Sequence, residues 1–182
     1  MSESSYHTSV LLQECLTGLA IKPDGIYVDV TFGGGGHSKA ILAELGPEGR
    51  LYAFDQDPDA WKQADLIDDE RLTLITANFR YLEKYLRLHG VKQVDGILAD
   101  LGVSSFQLDA AERGFSTRFD GPLDMRMGPS ASTSAAEVLN TYSAGDLQKL
   151  FGMYGEIKNA KTLALAVVQA RTQKPLETTG EF

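Results

Sequence analysis

Along the first hundred residues, short apolar runs alternate with stretches whose apolar positions recur at helical spacing. Val10, Leu11, Leu12, Leu16 and Leu19 share one helical face, and Ser9 stands where a cap for that helix belongs. Lys22-Pro23-Asp24-Gly25 is a turn signal, and Ile26-Tyr27-Val28-Asp29-Val30-Thr31 follows as a β-branched strand with glycine on both sides. Residues 37–45 read as a helix closed by Gly46-Pro47, and residues 51–54 as a second strand. Asp57-Pro58 is a cap and first turn for a helix running through Trp61 to Ile67. A third strand is predicted over 72–76, a helix over 81–88 ended by Gly90, and a fourth strand over 94–99.

This alternation predicts parallel strands joined by right-handed crossovers, an α/β doubly wound sheet. Ligands of such sheets sit beyond the carboxyl ends of the strands. Here those ends are residues 31–36, Asp55, Asn78-Phe79 and Asp100. After Asp100 the rhythm breaks. Residues 101–132 are rich in Gly, Ser, Asp and Pro, with Phe106, Phe115 and Phe119 set among Arg113, Arg118 and Arg126. Helices are predicted near 134–140, 144–153 and 156–172, the second capped by Ser143 and the third stopped by Pro175. The expected division is an α/β domain over 1–105 and a helical domain over 106–182.

Composition narrows the class. The 182 residues are 43% apolar and 23% charged, enough to bury a core. No apolar run reaches the roughly 18 residues a membrane span needs. The polar tail Met1 to His7 lacks the apolar stretch of a secretory signal. A single cysteine, Cys15, forms no internal disulfide and no Cys-rich zinc site, and reads as a small buried apolar residue. The expectation is a soluble cytoplasmic protein without a membrane partner. The net charge of −8 argues against a generic nucleic-acid coat. It is uneven, however: residues 1–112 hold 9 Lys/Arg against 18 Asp/Glu, and residues 113–182 hold 8 against 7. A polyanion would therefore meet the second part more readily.

Phe32-Gly33-Gly34-Gly35-Gly36-His37-Ser38 joins the first strand to its helix, where glycines let a ligand approach main-chain N–H groups. The strict dinucleotide pattern is absent, because its third glycine position is Ser38; a ligand-free tight turn is the plainer alternative. Asp55 ends the second strand about 20 residues on, where an acid bonds a ribose hydroxyl. Phe79 could cover an adenine ring or belong to the core. Asp100 puts a carboxylate at the cleft mouth, costly to bury without a partner, unless it only caps the next turn. His7, His37 and His89 are scattered, so no metal site is expected.

These residues resemble the MraW/RsmH family, bacterial 16S rRNA cytosine-N4 methyltransferases. The similar stretches are His7-Thr8-Ser9-Val10-Leu11-Leu12-Gln13-Glu14, Thr31-Phe32-Gly33 with Gly35-Gly36-His37-Ser38, and Phe54-Asp55-Gln56-Asp57-Pro58. Later come Asp100-Leu101-Gly102-Val103-Ser104-Ser105, Gln107-Leu108-Asp109 and Ala111-Glu112-Arg113-Gly114-Phe115-Ser116. Asp120-Gly121-Pro122-Leu123-Asp124-Met125-Arg126-Met127 and Tyr154-Gly155-Glu156 complete the set.

The resemblance implies a class I methyltransferase sheet (Rossmann-like) with a helical substrate-recognition insertion after the fourth strand. It implies S-adenosylmethionine as cofactor and a cytidine in the decoding region of 16S rRNA, within the small ribosomal subunit, as substrate. Carried over, Gly35, Gly36, His37, Asp55, Phe79, Asp100 and Gln107 would line the cofactor site, Gln107 on the resemblance alone. The chemistry of the cytosine amine, a poor nucleophile, would make Asp100 catalytic as acceptor of an N4–H hydrogen bond; otherwise it simply serves the cofactor. Arg113, Phe115, Arg118 and Arg126 suit unpaired RNA, by stacking and by holding phosphate; otherwise the phenylalanines pack inward and the arginines pair with Asp120 and Asp124. The family continues past residue 182 with further strands and a His-Pro-x-x-Arg-x-Phe-Gln segment, so a C-terminally truncated chain with an incomplete sheet is expected. Activity would belong to the full-length protein. The rivals are a module that binds cofactor or RNA without catalysis, and a nicotinamide-dependent oxidoreductase. The oligomeric state stays open, with a homodimer as one option.

Overall fold

The computed structural model describes residues 9–182. His7 and Thr8 of the first similar stretch, and the tail before them, lie outside the described residues. The chain divides between Gly102 and Val103 into two compact units.

The first unit is built on four parallel strands, β1 (Ile26–Asp29), β2 (Arg50–Phe54), β3 (Leu72–Ile75) and β4 (Gly96–Leu98). Their order is β3-β2-β1-β4. The helices are α1 (Leu12–Leu19), α2 (Gly36–Glu44), α3 (Pro58–Ala64) and α4 (Leu82–Leu88). Strand alternation decides which helix covers which face. Tyr27 and Leu51 pack with Leu16 of α1 and with Ile41 and Leu42 of α2, and Ala53 packs with Ala60 and Ala64 of α3. Val28 and Phe54 point the other way, onto Leu86 of α4. The connection from β3 through α4 thus carries the chain to the far side of β1. Between β1 and β4 the winding reverses, and there an α/β sheet opens its ligand crevice.

Expectations change at several element ends. Ser9 does not cap α1: that helix starts at Leu12, and the N-cap position is Leu11, left-handed at φ 52° with no side-chain cap bond. β1 ends at Asp29 rather than Thr31, because the Asp29 carboxylate takes the Thr31 N–H at 3.0 Å and turns the chain out of the ladder. The third strand likewise stops at Ile75 and the fourth at Leu98. Asp57 does cap α3, accepting from Asp59 N with Pro58 in the first turn. Cys15 is half-buried, packed beside the Leu16 cluster.

The second unit holds α5 (Ser105–Asp109), a 3-10 turn (Ala111–Arg113), α6 (Ala135–Thr141), α7 (Ala144–Met153) and α8 (Ala160–Ala170). Leu123, Leu139, Leu147, Phe151, Ala164, Val167 and Leu176 form its core. Ser143 caps α7 by accepting from Asp146 N, as its position foretold. α8 starts at Ala160 rather than 156, since Glu156 is left-handed at φ 52° and Ile157 N bonds back to Phe151 O. α5 was not foreseen. Its signal was a capping box, with Ser104 and Gln107 each closing on the other's backbone N–H.

Candidate functional site

Gly35 is the N-cap of α2, at φ 77°, and a Cβ there would stand 2.8 Å from the Phe32 ring. A Cβ on Gly36 would meet Ser9 Oγ at 2.1 Å, a hydroxyl that can swing aside. Ser9 therefore lies against the start of α2. His37 is buried and its Nε2 sits 3.1 Å from Val10 O, which ties the segment before α1 to the start of α2. Nothing lies within 4 Å of where a Gly34 Cβ would be, which leaves open space at the loop tip.

Asp55 stands just past β2. Its Oδ2 accepts Gly33 N at 2.8 Å, its Oδ1 accepts Asp57 N at 2.9 Å, and its carbonyl accepts Trp61 Nε1 at 3.0 Å. Burial pushes its pKa up, and the Asp57 and Gly33 N–H groups oppose that rise. Each carboxylate oxygen has a second lone pair for a ligand donor.

Phe79 is 43% exposed, which overturns its core reading. It opens a 3-10 turn capped by Asn78, whose side chain accepts Arg80 N and donates to Gln56 Oε1. Asp100 is also in the open, its side chain 54% exposed, so the cost of burial does not arise. Its Oδ2 lies 4.0 Å from His37 Nδ1 and its backbone N–H donates to Thr31 Oγ1 at 2.8 Å. Gly35, Gly36, His37, Asp55, Phe79 and Asp100 thus all stand at the carboxyl ends of the first unit's strands.

Gln107 belongs to the second unit. It is buried, its Oε1 accepts Ser104 N at 3.0 Å, and its Nε2 reaches Met127 Sδ at 3.6 Å. In the same unit Arg113 Cζ lies 5.7 Å from the Phe115 ring centroid, and Nη2 donates to Arg126 O at 3.1 Å. Arg126 forks onto Asp124 with bonds of 2.9 and 2.6 Å. Arg118 pairs with Asp109 at 3.0 Å instead of the expected Asp120, whose carboxylate holds Gly180 N. Phe106 and Phe119 are exposed and Phe115 is half-buried. Exposed ion pairs such as Arg118–Asp109 are worth little, so an incoming phosphate can replace the carboxylate.

Residues 4–182 match the model of the MraW methylase family. The chain belongs to that family. It is 60% identical over 97% of its length to a protein of Flavobacterium johnsoniae named ribosomal RNA small subunit methyltransferase H. The namesakes of Christiangramia forsetii and Bacteroides fragilis are 59% and 54% identical, over 97% and 99% of this chain. The chain spans 58–59% of the length of these relatives. Among solved structures it is similar to a cyclopropane-fatty-acyl-phospholipid synthase-like protein from Lactobacillus casei. That likeness has 16% identity and a TM-score of 0.40, covering 78% of this chain and 56% of the other.

In this member of the MraW methylase family, sequence reasoning passed over Asp29, fully buried inside β1. Its Oδ2 accepts the Ser38 hydroxyl at 2.7 Å, and its Oδ1 takes Thr31 N at 3.0 Å with Thr31 Oγ1 at 3.4 Å. Burial raises its pKa, opposed first by the Ser38 hydrogen bond. The signal was an acid between Val28 and Val30 in an otherwise apolar run, which only a buried partner makes tolerable.

Proposed function

We propose that this chain supplies the S-adenosylmethionine-binding part of an rRNA methyltransferase, acting on N4 of a cytidine in the decoding region of 16S rRNA. The observation that carries the reading is a family member's pair of carboxylates, Asp55 and Asp100, standing with a glycine turn beside the β1–β4 reversal. The donor set fits the cofactor. Asp55 keeps lone pairs for ribose hydroxyls, Phe79 offers an exposed ring to adenine, and the Gly34 tip leaves room for close backbone approach. Gln107 joins this set on the family resemblance alone.

S-adenosylmethionine supplies an electrophilic methyl group on a sulfonium sulfur. The exocyclic amine of cytosine is a poor nucleophile, because its lone pair is delocalised into the ring. The Asp100 carboxylate would accept an N4–H hydrogen bond and localise that pair along the line of attack, with orientation lowering the barrier further. His37, 4.0 Å away, would help hold that carboxylate in place. Residues 106–182 are assigned to substrate recognition, with Arg113, Arg118 and Arg126 meeting phosphate and Phe115 meeting a base.

The nicotinamide reading loses ground at Ser38. Where a dinucleotide loop wants its third glycine, the Ser38 hydroxyl binds the buried Asp29 at 2.7 Å. Calorimetric titration of S-adenosylmethionine into this chain tests the proposal, with Asp55→Ala as control. Binding that weakens sharply in the variant is expected; no binding by the parent chain, or equal binding by NAD, overturns it. Transfer of labelled methyl groups to small ribosomal subunits then separates an enzyme from a non-catalytic module.

A further inference from the structure

We propose that Thr31 is a positioning residue whose hydroxyl sets where the Asp100 turn leaves the sheet, and so where the Asp100 carboxylate stands over the cofactor site. The inference rests on the reading of that site given above.

β1 and β4 run parallel with Asp29 opposite Leu98, and Val30 N donates to Leu98 O at 3.0 Å. One step further, a regular parallel ladder would have the Asp100 N–H donate to the Val30 carbonyl. That N–H goes to Thr31 Oγ1 at 2.8 Å. A side-chain acceptor thus stands in for a main-chain one where the two strands part, at the reversal in the strand order. Thr31 is half-buried and its side chain reaches sideways, from the end of one strand to the end of its neighbour.

The hydroxyl is itself oriented. Asp29 Oδ1 lies 3.4 Å from Thr31 Oγ1, and the same oxygen fixes Thr31 N at 3.0 Å. The other oxygen of Asp29 takes Ser38 Oγ, in the first turn of α2, at 2.7 Å. One buried carboxylate therefore ties the end of β1 to the glycine-loop helix, and Thr31 extends that tie to Asp100. Valine at 31 keeps the branched shape but offers no acceptor, so the Asp100 turn would lose its anchor. Serine keeps the acceptor.

The test is calorimetric affinity for S-adenosylhomocysteine in the parent chain, Thr31→Val and Thr31→Ser, with thermal midpoints measured alongside. The loss of one hydrogen bond predicts about tenfold weaker binding in Thr31→Val, with Thr31→Ser restored to within about threefold. Both variants should melt within a few degrees of the parent. Undiminished binding by Thr31→Val, equal weakening in Thr31→Ser, or a loss that tracks the melting temperature overturns the positioning role alone. Failure of the parent chain to bind overturns the reading of the site, and the inference with it. Should Thr31→Val not fold, amide hydrogen exchange decides: Asp100 N–H protected in the parent and in Thr31→Ser supports the role, and open-loop exchange in the parent overturns it.

Discussion

Gly33 donates its backbone N–H to Asp55 Oδ2 at 2.8 Å, closing the loop after β1 onto the end of β2 across 22 positions of chain. The acid that the proposed cofactor would use is thus also a brace for the glycine turn. With its other oxygen on Asp57 N, it steadies the start of α3 as well. The proposed binding role and the observed scaffolding role would therefore be coupled at this side chain.

Asp55→Asn should separate the two. An amide accepts through one oxygen only, so either the Gly33 or the Asp57 contact is lost. S-adenosylmethionine affinity is expected to fall about tenfold or more, with a melting point lowered by only a few degrees. Calorimetry paired with thermal unfolding reads both, and unchanged affinity would show that the acid only braces the loop.

Asp100→Asn should weaken cofactor binding by about tenfold, the same loss as that expected when Thr31 no longer anchors this turn, while slowing methyl transfer by about a hundredfold, the lower range for a positioned proton acceptor. Single-turnover transfer to small ribosomal subunits is the measurement. A native rate in the variant would remove Asp100 from the chemistry.

Asp29 makes stability depend on pH in a definite direction. Burial holds its folded pKa above the ordinary 3.8, so the folded chain binds the proton more tightly than the unfolded one. Stability from this group is therefore full at low pH and falls as pH rises from 3.8 through the raised folded value. Asp29→Asn should remove that fall, seen as a flatter urea-midpoint curve for the variant and a difference between the two proteins that changes across the window. A parallel pair of curves would contradict it.

Glu181 works in the opposite sense. Lys174, with the Glu177 and Thr178 N–H groups, holds its pKa down at about 2 against an ordinary 4.5. Its contribution is present above 4.5 and is lost as pH falls toward about 2. In Glu181→Gln the Glu177 and Thr178 amides should exchange faster at neutral pH, and the gap from the parent should close under acid. A gap that persists at the acid end would overturn this.

Gly114 tests the second unit. Its φ is 69° and a Cβ would lie 2.1 Å from the Pro122 carbonyl oxygen, which is backbone and cannot swing away. Gly114→Ala should cost roughly 2 kcal/mol or more from strain and displacement together. A drop of several degrees in the melting point is expected, and a neutral result would show that the 114–122 contact is pliable.

Much of this protein is written in the chain itself. Short apolar runs mark every described strand and 3.6-residue spacing every described α-helix except α5, since parallel strands are covered on both faces and helices bury one. The positions of Asp55, Phe79 and Asp100 past strand ends follow from that pattern, as does the Asp57-Pro58 cap. Tertiary structure decided what the local pattern cannot carry. The strand order β3-β2-β1-β4 comes from crossover packing between distant segments. The fate of Ser9, drawn from a helix cap onto Gly36, depends on a residue 27 positions away, as does the pairing of His37 with Val10. Buried Asp29, with Ser38 and Thr31 as its donors, reads in sequence only as an oddity within a strand. Three-dimensional proximity turns it into the tie between β1, the glycine-loop helix and Asp100, because a carboxylate taken from water must find its donors wherever the fold brings them.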